Sequence, residues 1–183
     1  GLDVEVYVDA GASSHWPNSP FMETGMVVKN IPGPYVVPSY RCRSYTVATN
    51  KSPIGAYRGV ARPAACFTIE RTIDEIAHAV GREPWEVRME NMVPAEAMPY
   101  RTITQLLFDS GNYGESVRRV VELIDLPGIR ARQKQGEPDG RLVGVGLASF
   151  TEQTAHGCGE WVSRGTPVIP GYETATARMM PDG

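Results

Sequence analysis

Apolar and polar positions alternate from the start of the chain. Leu2, Val4, Val6 and Val8 share one side of an extended backbone, with Asp3, Glu5, Tyr7 and Asp9 on the other. Leu2–Asp9 is therefore expected as a half-buried strand. The alternation stops at Gly11. From there to Pro34, Ser, Asn, Pro and Gly recur, and the stretch is expected as a long irregular segment with a short strand at Val27–Val28. Arg41–Ala48 returns to β-prone residues and ends at Asn50-Lys51-Ser52-Pro53. The period then lengthens. Ile69, Ile73, Ile76, Ala77 and Val80 recur at helical spacing, with Glu70, Arg71, Asp74, Glu75 and His78 on the solvent side. A helix is expected over 63–80, with Pro63 in its first turn and Gly81 just past its end.

A second helix, 84–91, opens at Pro84 and turns Trp85 and Val87 or Arg88 inward. Thr102–Asp109 is expected to hold a short strand. A third helix begins near Tyr113 or Glu115, with Val117, Val120, Val121 and Ile124 as its apolar face. Leu126-Pro127-Gly128 reads as its break, followed by a basic helical turn, Ile129–Gln135. After the turn Glu137-Pro-Asp-Gly140, Leu142–Phe150 reads as a glycine-containing strand. Thr151–Pro170 is Gly-rich and polar. Tyr172–Met179 alternates again and runs into the turn Pro181-Asp182-Gly183. This order of elements predicts an α+β fold. A strand and turn at the end leave an edge without a partner, which points to truncation or to pairing with a missing segment.

Composition narrows the class. The chain has 183 residues, 42% hydrophobic and 21% charged, with a net charge of -3. That is room for one domain or two small ones, and it disfavours disorder and nucleic-acid binding. No apolar run reaches the roughly 18 residues of a membrane-crossing helix. The 19 glycines and 15 prolines among 183 residues exceed the roughly 12% usual for the pair, so the chain turns often. Cys42, Cys66 and Cys158, like His15, His78 and His156, are scattered without metal-ligand spacing, so no metal ligand is assigned. The chain starts at Gly1 rather than Met; its native leader is not visible, and a cytoplasmic location is expected with the periplasm left open.

Gly55-Ala-Tyr-Arg-Gly-Val-Ala-Arg-Pro63 is where chemistry concentrates. Arg58 and Arg62 bracket a small tripeptide just before a helix. Helix-start N–H groups and planar guanidinium forks suit an anionic or oxygen-rich ligand, and Gly59 lets backbone approach it closely. The competing reading is a strand-to-helix turn with solvated arginines. Elsewhere, Arg130, Arg132 and Lys134 read as a solvated basic turn rather than an RNA site, Asp74 and Glu75 as a solvated helix face, and His15 and Trp16 as surface packing.

The same segment resembles the Gly-x-Tyr/Phe-Arg-Gly-x-Gly-x-Pro motif of the xanthine dehydrogenase and aldehyde oxidase family, in its molybdopterin-binding large subunit. The likeness runs the length of the chain. It includes Asp9-Ala-Gly-Ala12, Gly33-Pro-Tyr35, Ile69-Glu-Arg-Thr-Ile-Asp-Glu-Ile-Ala77 and Glu83-Pro-Trp-Glu-Val-Arg-Met-Glu-Asn91. Pro99-Tyr-Arg-Thr102, Asp109-Ser-Gly-Asn-Tyr113, Gly144-Val-Gly146 and Tyr172 to Arg178 continue it.

The resemblance implies part of the molybdopterin-binding domains of a molybdenum hydroxylase, incomplete alone. Residues 1–136 would belong to the first region, with the Gly/Arg loop and helices, and 137–183 would start the following β-containing region. It implies a molybdenum–pterin cofactor shared with missing segments or a partner chain, and oxidation of an aldehyde or N-heterocycle with oxygen from water. 2Fe-2S and FAD are implied in partner subunits. Arg58, Gly59, Ala61 and Arg62 match the cofactor-contacting loop, and Val60 matches a substrate-pocket position. Ala61 stands where the motif has its second glycine, and Gly59 where carbon monoxide dehydrogenases carry a copper-binding cysteine, which Cys66 does not replace. Valine at 60 cannot stack on a ring, which weakens a purine reading. The family's pterin-binding Gln-x-Gly segments and its Gly-x-Gly-Glu catalytic base are absent; Gly157-Cys-Gly-Glu160 is out of register for the latter. No catalytic residue is therefore assigned. The implied role is one wall of an active site, with catalysis by this chain alone not expected. A noncatalytic assembly or scaffold fragment and a stand-alone anion-binding module are the alternatives.

Overall fold

The computed structural model describes residues 1–14, 20–154, 157–163 and 174–181. His15, Trp16, His156, Tyr172 and the last two residues of the expected terminal turn lie outside them. The chain forms two compact units, Gly1–Thr151 and Glu152–Gly183.

The first unit opens with β1 (Leu2–Gly11), which pairs in parallel with β2 (Tyr40–Ala48) in the register Leu2↔Tyr40 through Tyr7↔Tyr45. A parallel pair needs a crossover, and here it is α1 (Pro20–Asn30). That helix corrects the expectation of an irregular stretch with a strand at Val27–Val28. Pro20, Thr24, Val27 and Ile31 are all buried and stand four, three and four residues apart, which is one helical face. Gly25, Val27 and Val28 are poor helix formers, but packing of Val27 and Ile31 against Ala61, Ala65 and the inner side of the sheet outweighs propensity. The helix is also tied to β2 by Thr24 Oγ1 and Thr46 Oγ1 at 2.6 Å, and by the Tyr40 hydroxyl donating to the Val28 carbonyl at 2.8 Å.

The long helix α2 (Arg62–Ala79) and the shorter α3 (Pro84–Asn91) stand within a residue or so of their expected ranges. Ile69, Ile73 and Ala77 form a core with Tyr35, Val87, Met92 and Val117. Two parts of the predicted α2 pattern are corrected. Ile76 and Val80 are exposed, while Glu70 is 4% exposed. The core lies on one narrow side of the helix, and the arginine of α3 reaches across to draw Glu70 inward. Arg88 is fully buried and its Nε donates to Glu70 Oε2 at 2.7 Å.

Downstream, β3 (Tyr100–Arg101) pairs antiparallel with β4 (Leu107–Phe108), so the expected strand at 102–109 is a small hairpin. Its turn is closed by Thr102 N donating to the Leu106 carbonyl at 2.9 Å. α4 (Tyr113–Leu123) is capped by Asn112. Leu126-Pro127-Gly128 is not a break. It is the first turn of α5 (Leu126–Gln135), because the Asp125 carboxylate accepts Gly128 N–H at 3.2 Å and Pro127 needs no partner there.

Residues 142–150 alternate between half-buried and exposed, as a strand would, but among the described residues they join no ladder. Their polar groups go to side chains instead. Leu147 O accepts from Arg88, Val143 O from Gln133, and Ser149 N donates to Glu70. In the second unit α6 (Cys158–Ser163) interrupts the expected polar stretch. Residues 174–179, the described part of the strand expected over 172–179, have no regular structure.

Candidate functional site

The route to the Gly/Arg loop begins at the end of β1. Gly11 has a φ of 72°, and a Cβ there would lie 2.3 Å from the Ser52 carbonyl oxygen, so only glycine lets residues 49–54 pass this close. The two stretches are stitched together. Thr49 N donates to Gly11 O at 3.0 Å, Ala12 N to Lys51 O at 3.0 Å, and Ile54 N to Ala10 O at 3.3 Å. Asp9 closes the junction. Its carboxylate accepts from Gly11 N at 3.0 Å and Thr49 Oγ1 at 2.6 Å, and pairs with Lys51 Nζ at 2.7 Å. The hydrogen bonds from Lys51, Thr49 and Gly11 hold this carboxyl at about 2 against an ordinary 3.8.

From this anchor the chain runs out into solvent. Gly55, Tyr57 and Arg58 are exposed, and Gly59 and Val60 are half-buried. The loop then folds tightly into α2. Val60 N donates to Tyr57 O at 2.9 Å and Arg62 N to Gly59 O at 2.8 Å. Gly59 has a φ of 81°, and its missing Cβ would touch nothing nearer than Pro63 Cδ at 3.8 Å. Ala61 takes a left-handed backbone with φ 60° and is 2% exposed. Its methyl is part of the core, so Ala61 accepts a conformation suited to the glycine of the motif in return for burial. Arg62 is half-buried, and its Nη1 lies 3.5 Å from the Val60 carbonyl.

The structure thus brings all five predicted residues into one turn and separates their environments. Arg58 and Gly59 face outward as donors. Among the described residues, neither their N–H groups nor the Arg58 guanidinium has a partner. Ala61 N–H is already committed, donating to Glu23 Oε1 of α1 at 2.9 Å. Of the helix-start N–H groups, that of Ala61 is therefore not open to a ligand. Glu23 is not legible in the sequence, because Gly25, Val27 and Val28 give Pro20–Asn30 weak helix propensity and the helix is fixed by packing.

A turn that presents an arginine fork, two free N–H groups and no side chain at 59 fits an oxygen-rich anionic group such as a pterin phosphate. Two concavities, of about 510 and 290 Å³, lie elsewhere, along α3–α4 and among α2 to α5 with residues 145–147, and neither includes the loop. Cys66, one turn into α2, offers no ready thiolate, since burial and then the Glu70 charge push its thiol up. The other candidates resolve into structure. Arg130 makes a two-pronged pair with Glu83 at 2.9 and 2.7 Å, and Arg132 pairs with Glu137 at 2.8 Å. Asp74, expected in solvent, pairs with Arg88 at 2.9 Å.

Residues 1–92 match the model of the molybdopterin cofactor-binding domain. The chain is 33% identical over 162 residues to the carbon monoxide dehydrogenase large chain of Hydrogenophaga pseudoflava, covering 86% of this chain and 20% of that one. It is 27% identical over 180 residues to the nicotine 6-hydroxylase large subunit of Paenarthrobacter nicotinovorans, covering 98% and 22%. Among solved structures it superposes on quinoline 2-oxidoreductase from Pseudomonas putida 86 with a TM-score of 0.79 and 32% identity, covering 91% of this chain and 22% of that one. The chain spans about a fifth of the length of these relatives.

Proposed function

The chain belongs to the molybdopterin cofactor-binding domains of the xanthine dehydrogenase and aldehyde oxidase family, and from that premise we propose that it supplies one wall of the active site of a molybdenum hydroxylase. The observation that carries the proposal is the outward turn at 58–59, with its guanidinium and two N–H groups unpartnered among the described residues. When bound, the molybdenum–pterin cofactor supplies oxidative hydroxylation with oxygen drawn from water. The chain's own residues place it. Arg58 offers a planar cationic fork to its oxygen atoms, and Gly59 allows close backbone approach. Ala61 and Arg62 hold the turn against α2.

Val60 would present an apolar wall to the substrate and keep water from it. An N-heterocycle is the substrate class we favour over an aldehyde, because two similar proteins are named for nicotine and quinoline. Gly59 provides no thiolate, so the likeness to carbon monoxide dehydrogenase is not extended to a copper site. The missing base and the remaining pterin contacts would come from other large-subunit segments, with iron–sulfur and FAD subunits carrying electrons away. The division into a first region at 1–136 and a second from 137 belongs to this same proposal.

The test is purification of the chain with its native partners, followed by molybdenum and pterin analysis. Both are expected in stoichiometric amount. Losing one charge-assisted contact weakens binding by roughly tenfold to a hundredfold, so Arg58→Ala should carry less cofactor after purification, with subunit assembly and secondary structure unchanged. Native preparations that all lack molybdenum and pterin would leave the noncatalytic scaffold and the stand-alone anion-binding readings.

A further inference from the structure

The Gly/Arg turn does not hold its shape by local bonds alone. Within it, Val60 N–H and Arg62 N–H find carbonyls of the same turn. Ala61 N–H does not. It points inward, toward α1, and its acceptor is Glu23 Oε1 at 2.9 Å, thirty-eight residues away in sequence. Ala61 is also the turn's left-handed non-glycine residue and its most buried one. A residue in that conformation persists only where its surroundings over-determine it. Two contacts do so here: the methyl packed with Val27, Ile31 and Ala65, and the carboxylate on the N–H.

α1 is itself well fixed. Its side toward β2 carries the Thr24–Thr46 contact, and Val28 O and Lys29 O accept from Tyr40 and from Thr104 Oγ1 at 2.8 Å each. Glu23 therefore joins the crossover helix to a turn whose outer surface offers unpartnered donors. A carboxylate at a helix N-terminus is also favourably placed toward the helix dipole. It satisfies the inward N–H and leaves Arg58 and Gly59 as the groups facing outward.

We propose that Glu23 is a positioning residue for the 57–62 turn, setting the direction in which Arg58 and Gly59 meet the cofactor. Glu23 would act through the Ala61 N–H, on the inward side of the turn. The proposal rests on the reading of this turn as cofactor-contacting, and its test separates the two.

The complete molybdenum complex containing the chain is prepared in four forms: unaltered, Glu23→Ala, Glu23→Gln, and Glu75→Ala as an exposed acidic control on α2. Two quantities are read. One is amide hydrogen exchange of peptides covering 57–62 and, separately, 64–79. The other is molybdenum and pterin per chain. Losing the acceptor should speed exchange at 57–62 about tenfold in Glu23→Ala, with 64–79 unchanged and cofactor content down several-fold. Glu23→Gln, which keeps a carbonyl acceptor, should restore both readouts most of the way, and Glu75→Ala should match the unaltered complex.

Exchange at 57–62 within twofold of the unaltered complex in Glu23→Ala overturns the proposal. So does loss of protection across 64–79 in both Glu23 variants, which would make the residue a general packing element. Faster exchange at 57–62 with unchanged cofactor content overturns the link to the cofactor. If the unaltered complex holds no molybdenum or pterin, the proposed function fails by itself, and the exchange readout still decides whether Glu23 sets the turn.

Discussion

Ala61 shows how one residue can hold two opposed terms. A non-glycine residue in the left-handed region costs about 1–2 kcal/mol, while its methyl, 2% exposed beside Val27 and Ile31, contributes about 0.8 kcal/mol of burial. Ala61→Gly is therefore expected to change stability by less than about 1 kcal/mol, read from the urea midpoint. Ala61→Val adds a branched side chain at positive φ in a packed site and should cost at least about 2 kcal/mol. Asp9 gives a pH signature. Its native carboxyl sits at about 2 against an ordinary 3.8, so between those values the unfolded chain binds the proton more readily and stability rises with pH. The contribution is complete above about pH 4 and is lost as pH falls toward 2. Amide protection over 49–54, taken relative to the intrinsic exchange rate at each pH from 5 to 2, should fall in the lower part of that range, and Asp9→Asn should flatten the dependence.

The α2–α3 contact is built on charge inside a core. Arg88 donates to Glu70 Oε2 at 2.7 Å, to the Glu70 carbonyl at 3.1 Å, to Leu147 O at 2.9 Å and to Pro84 O at 3.1 Å, and pairs with Asp74. Glu70 accepts in addition from the Tyr35 hydroxyl at 2.6 Å and Ser149 N at 2.9 Å. Burial, then the hydrogen bond to Glu70, pushes the Tyr35 phenol up and keeps it a donor. For Arg88 burial works against the charge, yet Glu70 and Asp74 outweigh it and its pKa is raised. Removing one partner of such a pair strands a buried charge, so Arg88→Met should lose about 3–5 kcal/mol in denaturant unfolding. By contrast, Arg71→Ala, which breaks only the exposed pairs with Asp74 and Glu75, should lose less than about 1 kcal/mol. The helices themselves were legible from the spacing of Ile69, Ile73 and Ala77. Inward placement of Glu70 was not, since a glutamate among solvent-side residues turns inward only when an arginine eighteen residues on supplies the charge.

Across the whole chain, the division between the two compact units falls between Thr151 and Glu152. Limited proteolysis is expected to cut near that junction before it cuts within 62–91, which mass spectrometry of early fragments would check; early loss of 62–91 would contradict the division. In the first unit the parallel β1–β2 pair covers Val4, Val6 and Cys42 with helices, and leaves Tyr7 stacked on Tyr45 at 5.1 Å on its other side. Sequence by itself determined what depends on neighbours along the chain: the β1 alternation, the extents of α2 to α4, though Val120 and Ile124 of the expected α4 face are exposed, the proline starts, and the motif that gathers Arg58 to Arg62 into one turn. Tertiary structure alone decided what depends on distant partners. It made a helix of Pro20–Asn30, whose weak local propensity is overridden by the sheet and α2 beneath it. It left 142–150 extended without a ladder, its polar groups taken by Arg88, Gln133 and Glu70. It set Glu23 on the N–H of Ala61. Each of those outcomes turns on a contact between residues far apart in the chain, where local pattern carries no information about geometry.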